Sequence, residues 1–206
     1  MAELSMFPLG MTLLPGSAAP LHVFEPRYVQ MIRDLLAGGD DELDFGVVMI
    51  ERGHEVGGGD VRADVATRGR IIELQALPDD RYALVVLGVE RVRIERWLDD
   101  DPYPRAIVDG WPDDHADPDG LGERIDDVLR AGRELNDLVR ELGHDDMPDL
   151  ERGDDDGDTL YRVAALTPLG PVDRYRVLAA TSLADRCEVL AEAIADARAV
   201  LEFHRT

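Results

Sequence analysis

The sequence predicts an α+β chain, β-rich over residues 1–116 and helical over residues 117–206. Three observations carry this reading. Short apolar runs and period-two alternation fill residues 45–97. Beyond residue 120, apolar side chains recur at helical spacing. Two acid-rich stretches containing Pro or Gly, residues 99–119 and 145–158, separate the periodic segments.

The first helix follows "PLHVFEPRYVQMI", residues 20–32. Pro26 has no N–H and a fixed φ, so it suits the first helical turn and pushes Glu25 into an extended conformation. The spacing of Tyr28, Met31, Ile32 and Leu35 predicts the buried face of that helix. Arg27 is placed to pair with Glu25 or to reach another loop's carbonyls, and the corner reads as structural, since His22 is the only nearby group for acid–base chemistry. "FGVVMI" (45–50) reads as a buried strand. "GRIIELQAL" and "RYALVVLG" flank the turn signal Pro78-Asp79-Asp80, a hairpin. "ERVRIERW" (90–97) alternates, with Val92 and Ile94 on one face and Arg91, Arg93 and Glu95 toward solvent. "RAIVDGW" adds one more strand, and short connections favour an antiparallel sheet or small barrel. Helices are predicted over 121–142 and 183–201, with a capping box at Ser182 and Asp185. Shorter ones are predicted at "TLYRVAAL" and over 172–180, after Gly170-Pro171.

Composition narrows the function. The chain of 206 residues carries 44 Asp plus Glu against 22 Lys plus Arg, a net charge of −22, and all 22 cations are arginine. Without lysine there is no P-loop lysine, no Schiff base and no Ser–Lys dyad. The negative charge opposes nucleic acid, whose phosphates need basic partners. A single cysteine, Cys187, excludes an internal disulfide. No apolar run spans a bilayer and no signal peptide is visible, so a cytoplasmic protein without membrane contact is expected.

No catalytic constellation emerges. His22, His54, His115, His144 and His204 form no metal-ligand spacing, and there is no nucleophile elbow. Residues 154–165 begin like a calcium loop but have Thr159 and Ala165 where Gly and Glu are needed. Residues 115–126 have Gly120 in place but begin with His115 and end with Asp126. No metal site and no cofactor are therefore expected. Trp97, Tyr103 and Trp111 surround the end of the β-rich part and are the candidate anchors for a peptide, with carboxylates nearby.

The N-terminal run "MFPLGMTLLPGSAAPLHVFEPRYVQMI" resembles the opening of the Lon protease N-terminal, substrate-binding domain. The resemblance rests on Pro8-Leu9, Pro15-Gly16, Pro20-Leu21, Phe24-Glu25 and Arg27-Tyr28, and continues in "GVERVRI" with Gly88 and Arg91. It extends over nearly the whole chain. It implies a PUA-like pseudobarrel with one helix after the first strands, then a helical bundle, and places the signature residues in structural roles. It also implies a stand-alone member without the ATPase and peptidase domains, a non-catalytic module that recognises polypeptide segments or a protein partner in proteolysis or quality control. Two rival readings are an RNA-binding PUA-like protein, which the charge opposes, and a small metal-dependent hydrolase built on the acidic runs.

Overall fold

The computed structural model describes residues 1–39, 43–53, 59–113 and 120–204. The chain divides into two units, Met1–Pro112 and Asp113–Thr206. The boundary expected at 116/117 lies outside the described residues.

The first unit contains β1 (Ala2–Leu9), β2 (Ala18–Val23), α1 (Pro26–Ala37), β3 (Asp44–Arg52), β4 (Val61–Leu77), β5 (Arg81–Trp97) and β6 (Arg105–Gly110). The strand order is β2-β5-β4-β3-β1-β6, and β6 pairs back onto β5. Five strands therefore form a closed ring, with β2 appended as a sixth. The length of β5, 17 residues, makes this possible. Its first half, from Tyr82 to Leu87, pairs with β2, and its second half, from Val92 to Trp97, pairs with β6. Register shifts in β3–β4, β4–β5 and β5–β6 supply the bends that closure needs.

Two expectations are corrected here. The sheet is not wholly antiparallel: β1 and β3 run parallel, from Met6↔Gly46 to Leu9↔Met49. Parallel neighbours need a crossover, which the excursion through β2 and α1 provides. The stretches read as separate strands at residues 81–88 and 90–97 are one continuous strand.

Gly88 lies where β5 exchanges one neighbour for the other. A Cβ there would lie 2.9 Å from the Leu14 carbonyl carbon and closer still to its oxygen. Only a residue without a side chain lets the β1–β2 connection cross β5 so closely. The crossing is tied down by Gly16 N–H to the Gly88 carbonyl (2.9 Å), Gly88 N–H to the Ser17 carbonyl (2.8 Å), and Thr67 Oγ1 to the Leu13 carbonyl (2.6 Å).

Helix α1 starts as its proline predicts, with Pro26 in the first turn and the Tyr28 and Val29 amides donating to the Glu25 carbonyl. It buries Tyr28, Val29, Met31 and Ile32 in one core with Phe7 and Phe45. Leu35 is only partly buried. Each fully buried side chain is worth roughly 1.5–3 kcal/mol before conformational entropy is subtracted.

The second unit contains α2 (Leu121–Glu141), α3 (Asp156–Leu166), α4 (Pro171–Ala179) and α5 (Leu183–His204). Pro171 occupies the first turn of α4 as expected. Ser182 Oγ accepts from the Asp185 amide (3.1 Å), whereas the Asp185 carboxylate takes the Thr181 hydroxyl, so the capping box is not reciprocal. Arginine pins the connections. Arg133 Nε donates to the Leu150 carbonyl (2.8 Å), and Arg174 donates to the Ala164, Ala165 and Thr167 carbonyls at the end of α3. Buried Asn136 bridges the Pro148 and Leu166 carbonyls. Arg186 has no exposed surface; its Nη1 and Nη2 grip both carboxylate oxygens of Asp113 (2.8 and 2.5 Å), and its Cζ lies 4.1 Å from the centre of the Tyr161 ring.

Candidate functional site

The Phe-Glu-Pro-Arg-Tyr corner resolves into a charge and ring cluster. Glu25 and Arg27 form an ion pair at 3.3 Å, with both side chains largely buried. The Arg27 guanidinium lies 4.5 Å from the Tyr28 ring centre, and Tyr28 stacks on Phe7 with centroids 4.3 Å apart. Beside them, Arg62 donates to Asp60 (2.6 Å) and to both oxygens of Asp100 (3.2 and 2.8 Å). Burial pushes the Asp60 carboxyl up, but the hydrogen bond from Arg62, a backbone bond and the charges of Arg62 and Arg27 outweigh it and hold it below the usual carboxylate range. Each of these charges has a partner.

The Tyr28 hydroxyl is buried and has no hydrogen-bond partner among the described residues. It borders a cavity of about 60 Å3 with His22, Phe24 and Glu25. Burial pushes it up to about 12; Arg27 opposes this and Glu25 assists it. The folded state thus keeps a proton that the unfolded chain releases near pH 10. Its stabilising contribution is complete below pH 10 and declines as pH rises toward about 12. Urea midpoints measured at pH 9 and pH 11 are expected to show this decline, and Tyr28→Phe is expected to reduce it. An equal decline in the variant would contradict the assignment.

The three expected anchors are separated and engaged. Trp97 closes β5 and carries the Arg62 guanidinium 4.7 Å from its ring centre. Tyr103 is 8% exposed and its hydroxyl donates to Asp34 (2.9 Å). Trp111 lies beyond the opposite end of the β5–β6 ladder from Trp97, which pairs with Ala106. The guanidinium carbons of Arg91 and Arg93 lie 4.0 and 3.6 Å from the Trp111 ring centre. Both cations therefore lie within cation–π distance of the one indole ring. Arg91, expected to face solvent, is 3% exposed. Its stem lies against the indole and its Nε donates to the Trp111 carbonyl (2.8 Å).

Other signature residues divide between core and surface. Pro8, Leu9, Leu21, Tyr28, Gly88 and Arg91 are buried. Pro20 is exposed, and Phe24 leaves 57% of its surface open.

A different surface is open and apolar. Where β4 runs past β3, the sheet is three strands wide, in the order β2-β5-β4. Its outer face carries a groove of about 240 Å3 lined by Pro20 and His22 from β2, Ala83 and Val85 from β5, and Glu73, Leu74 and Gln75 from β4. Cross-strand register puts Pro20 beside Val85 and His22 beside Ala83. Exposed Ile72 stands at the neighbouring bulge. Among the described residues Glu73 is the only carboxylate in this lining, and no arginine enters it. Sequence reasoning missed this face because it read "RYALVVLG" only as one arm of a hairpin and assigned neither face of it a role. The available signal was an apolar run too continuous for a strand covered on one side only.

The acidic run before α3 works as a cap. The Asp155 carboxylate accepts the Asp158 amide (2.7 Å), Asp158 accepts the Asp154 amide (2.9 Å) and Arg162 (2.9 Å), and Asp156 pairs with Arg152 (2.7 Å). Among the described residues no group of three or more His, Cys, Asp or Glu is placed to hold a metal ion. Residues 115–119 of the other candidate loop lie outside the described residues, as do His54 and His115. Cys187 is buried in α5, and burial pushes its thiol up, which disfavours the nucleophilic thiolate. No described helix is long and apolar enough to cross a membrane.

Comparison with known proteins agrees with this architecture. Residues 3–196 match the family model of the ATP-dependent protease La (LON) substrate-binding domain. The chain is 28% identical over 195 residues to Lon protease 2 of Myxococcus xanthus, covering 91% of this chain and 23% of that protein. It is 26% identical to the Lon protease of Anaeromyxobacter dehalogenans (strain 2CP-C), covering 98% and 24%. It thus spans about a quarter of the length of these curated relatives. Among solved structures it superposes on a Lon N-terminal domain protein from Xanthomonas campestris with a TM-score of 0.66 and 26% identity, covering 93% of this chain and 98% of that one. The N-terminal domain of the Mycobacterium avium complex Lon protease shares the fold at 15% identity, with a TM-score of 0.67 over 95% and 99% of the two chains. On the family match across residues 3–196 and the barrel-plus-helices architecture, this chain belongs to the LON substrate-binding domain family.

Proposed function

We propose that this chain is a non-catalytic module that recognises exposed apolar segments of polypeptides, and that it serves proteolysis or protein quality control. The observation that carries the reading is the open groove beside Pro20, Ala83 and Val85. An unfolded chain offers apolar side chains to such a face, whereas a folded protein conceals them. Family membership supports the same reading. The charged clusters support it too, since Arg62 and Arg186 have their partners within hydrogen-bonding distance. We place the contact at the groove rather than at Trp97, Tyr103 and Trp111, because Trp111 is engaged by Arg91 and Arg93, Trp97 by Arg62, and Tyr103 is buried. RNA binding is disfavoured by the net charge of −22.

Val85→Glu places a carboxylate in the groove on the outer face of β5. It is expected to weaken binding of a reduced, carboxamidomethylated polypeptide about tenfold, or about 1.4 kcal/mol. Val85 is half-buried and opposes Glu73 across β4–β5, so the thermal midpoint is expected to fall, and binding is measured where circular dichroism shows the variant folded. Unchanged affinity, measured by fluorescence anisotropy, would remove the groove from the account.

A further inference from the structure

The groove has a free strand beside it. β2 ends the strand order and, among the described residues, pairs only with β5. Its sequence, Ala-Ala-Pro-Leu-His-Val, carries no acidic or arginine side chain. Edge strands are commonly guarded by charge, bulges or a covering element, because an unpaired row of N–H and C=O groups recruits another strand.

The direction of those groups follows from the ladder. Gly88 N–H donates to the Ser17 carbonyl, so residue 17 turns its backbone toward β5. In an antiparallel pair this alternates every two residues. Ala19, Leu21 and Val23, opposite Val86, Leu84 and Tyr82, therefore bond to β5. Ala18, Pro20 and His22 turn their backbone groups outward. Pro20 opposite Val85 agrees, because a proline fits where no ladder donor is required. The outer edge thus presents the N–H groups of Ala18 and His22 and the carbonyls of Ala18, Pro20 and His22. The side chains of these same three residues are exposed, and Pro20 and His22 line the groove.

We propose that the outer edge of β2 receives an extended segment of an unfolded polypeptide as an added strand, with the segment's alternate side chains lying over the groove beside Pro20 and Val85. This rests on the polypeptide-recognition reading and adds its mode. A row of unpaired backbone donors and acceptors is complementary to another extended backbone, and every unfolded segment carries one whatever its sequence. Pro20 removes one donor from the middle of the row, so the edge offers two separated N–H groups and discourages a long, self-propagating sheet. Glu73 in the groove and the overall negative charge favour neutral or basic segments over acidic ones.

The test uses the intact chain and a fluorescein-labelled peptide of alternating Val and Thr with Arg at each end. Each backbone nitrogen of the peptide is methylated in turn, which deletes one donor and leaves the side chains unchanged. Strand addition predicts that affinity falls at least about tenfold at every second position and stays near the parent value between them. His22→Pro removes an outward N–H without touching a β2–β5 bond, and is expected to weaken the parent peptide similarly while circular dichroism remains native. Binding of the parent peptide with no period-two pattern in the scan would overturn strand addition and leave the groove reading standing. Failure of the parent peptide to bind would overturn both. A concentration-dependent dimer abolished by His22→Pro would assign the edge to a second copy of the chain and overturn the proposed occupant.

Discussion

Replacing Arg186 by methionine is expected to destabilise the helical unit by about 3–5 kcal/mol, the usual cost of breaking a buried ion pair from one side. Arg186 is wholly buried, and it satisfies both oxygens of Asp113, a carboxylate itself only 14% exposed. Methionine retains most of the aliphatic volume but leaves Asp113 without its guanidinium and Tyr161 without its stacked cation. The double variant Arg186→Met with Asp113→Leu removes both charges. It is expected to recover most of the loss, since a matched apolar pair is often as stable as a buried salt bridge. Urea denaturation followed by circular dichroism reads both. A single variant as stable as the parent would show that the pair contributes nothing, and a double variant no better than the single would place the loss in packing instead of charge.

Gly88→Ala is expected to cost about 3 kcal/mol, at the upper end of overpacking penalties. The added methyl meets the backbone of Leu14, not a mobile side-chain end, and also lies 3.2 Å from the Thr67 Cγ2. Relief requires moving the β1–β2 connection, which is held by the bonds of Gly16, Ser17 and Thr67. Gly122→Ala in α2 is the matched control. Among the described residues nothing lies within 4 Å of a Cβ there, so the same chemical change is expected to raise stability by about 0.5–1 kcal/mol. Equal thermal midpoints for the two variants would contradict the close approach that gives the signature glycine its role.

Local chemistry made much of the fold legible. Pro26, the spacing of Tyr28, Met31 and Ile32, and the Pro78-Asp79-Asp80 turn act within a few residues, and each appears where its local preference places it. Asp79 and Asp80 adopt φ of 60° and 55°, a region that short acidic side chains tolerate better than most. Non-local pairing was not legible. The parallel β1–β3 ladder joins residues 40 apart, and no local pattern encodes a partner at that distance. Arg91 alternates like a solvent-facing residue, yet Trp111, 20 positions later, gives its guanidinium a buried surface. The same gap hid the candidate site. Trp97, Tyr103 and Trp111 read as anchors near an acidic loop, and in the fold Trp97 and Trp111 lie against arginines while the Tyr103 hydroxyl donates to Asp34. The open groove mixes apolar and polar residues from three strands that come together only in the folded sheet.

The most direct test of the central claim, that this chain grips unfolded polypeptide and breaks no bond in it, is one titration with two readouts. Purified chain is added to a labelled protein in its native state and, separately, to the same protein reduced and carboxamidomethylated; anisotropy reports binding and mass spectrometry reports the state of the polypeptide after prolonged incubation. Saturable binding of the unfolded form alone, recovered at its original mass, is the predicted result. Cleavage of the polypeptide, or equal affinity for the native protein, would contradict it.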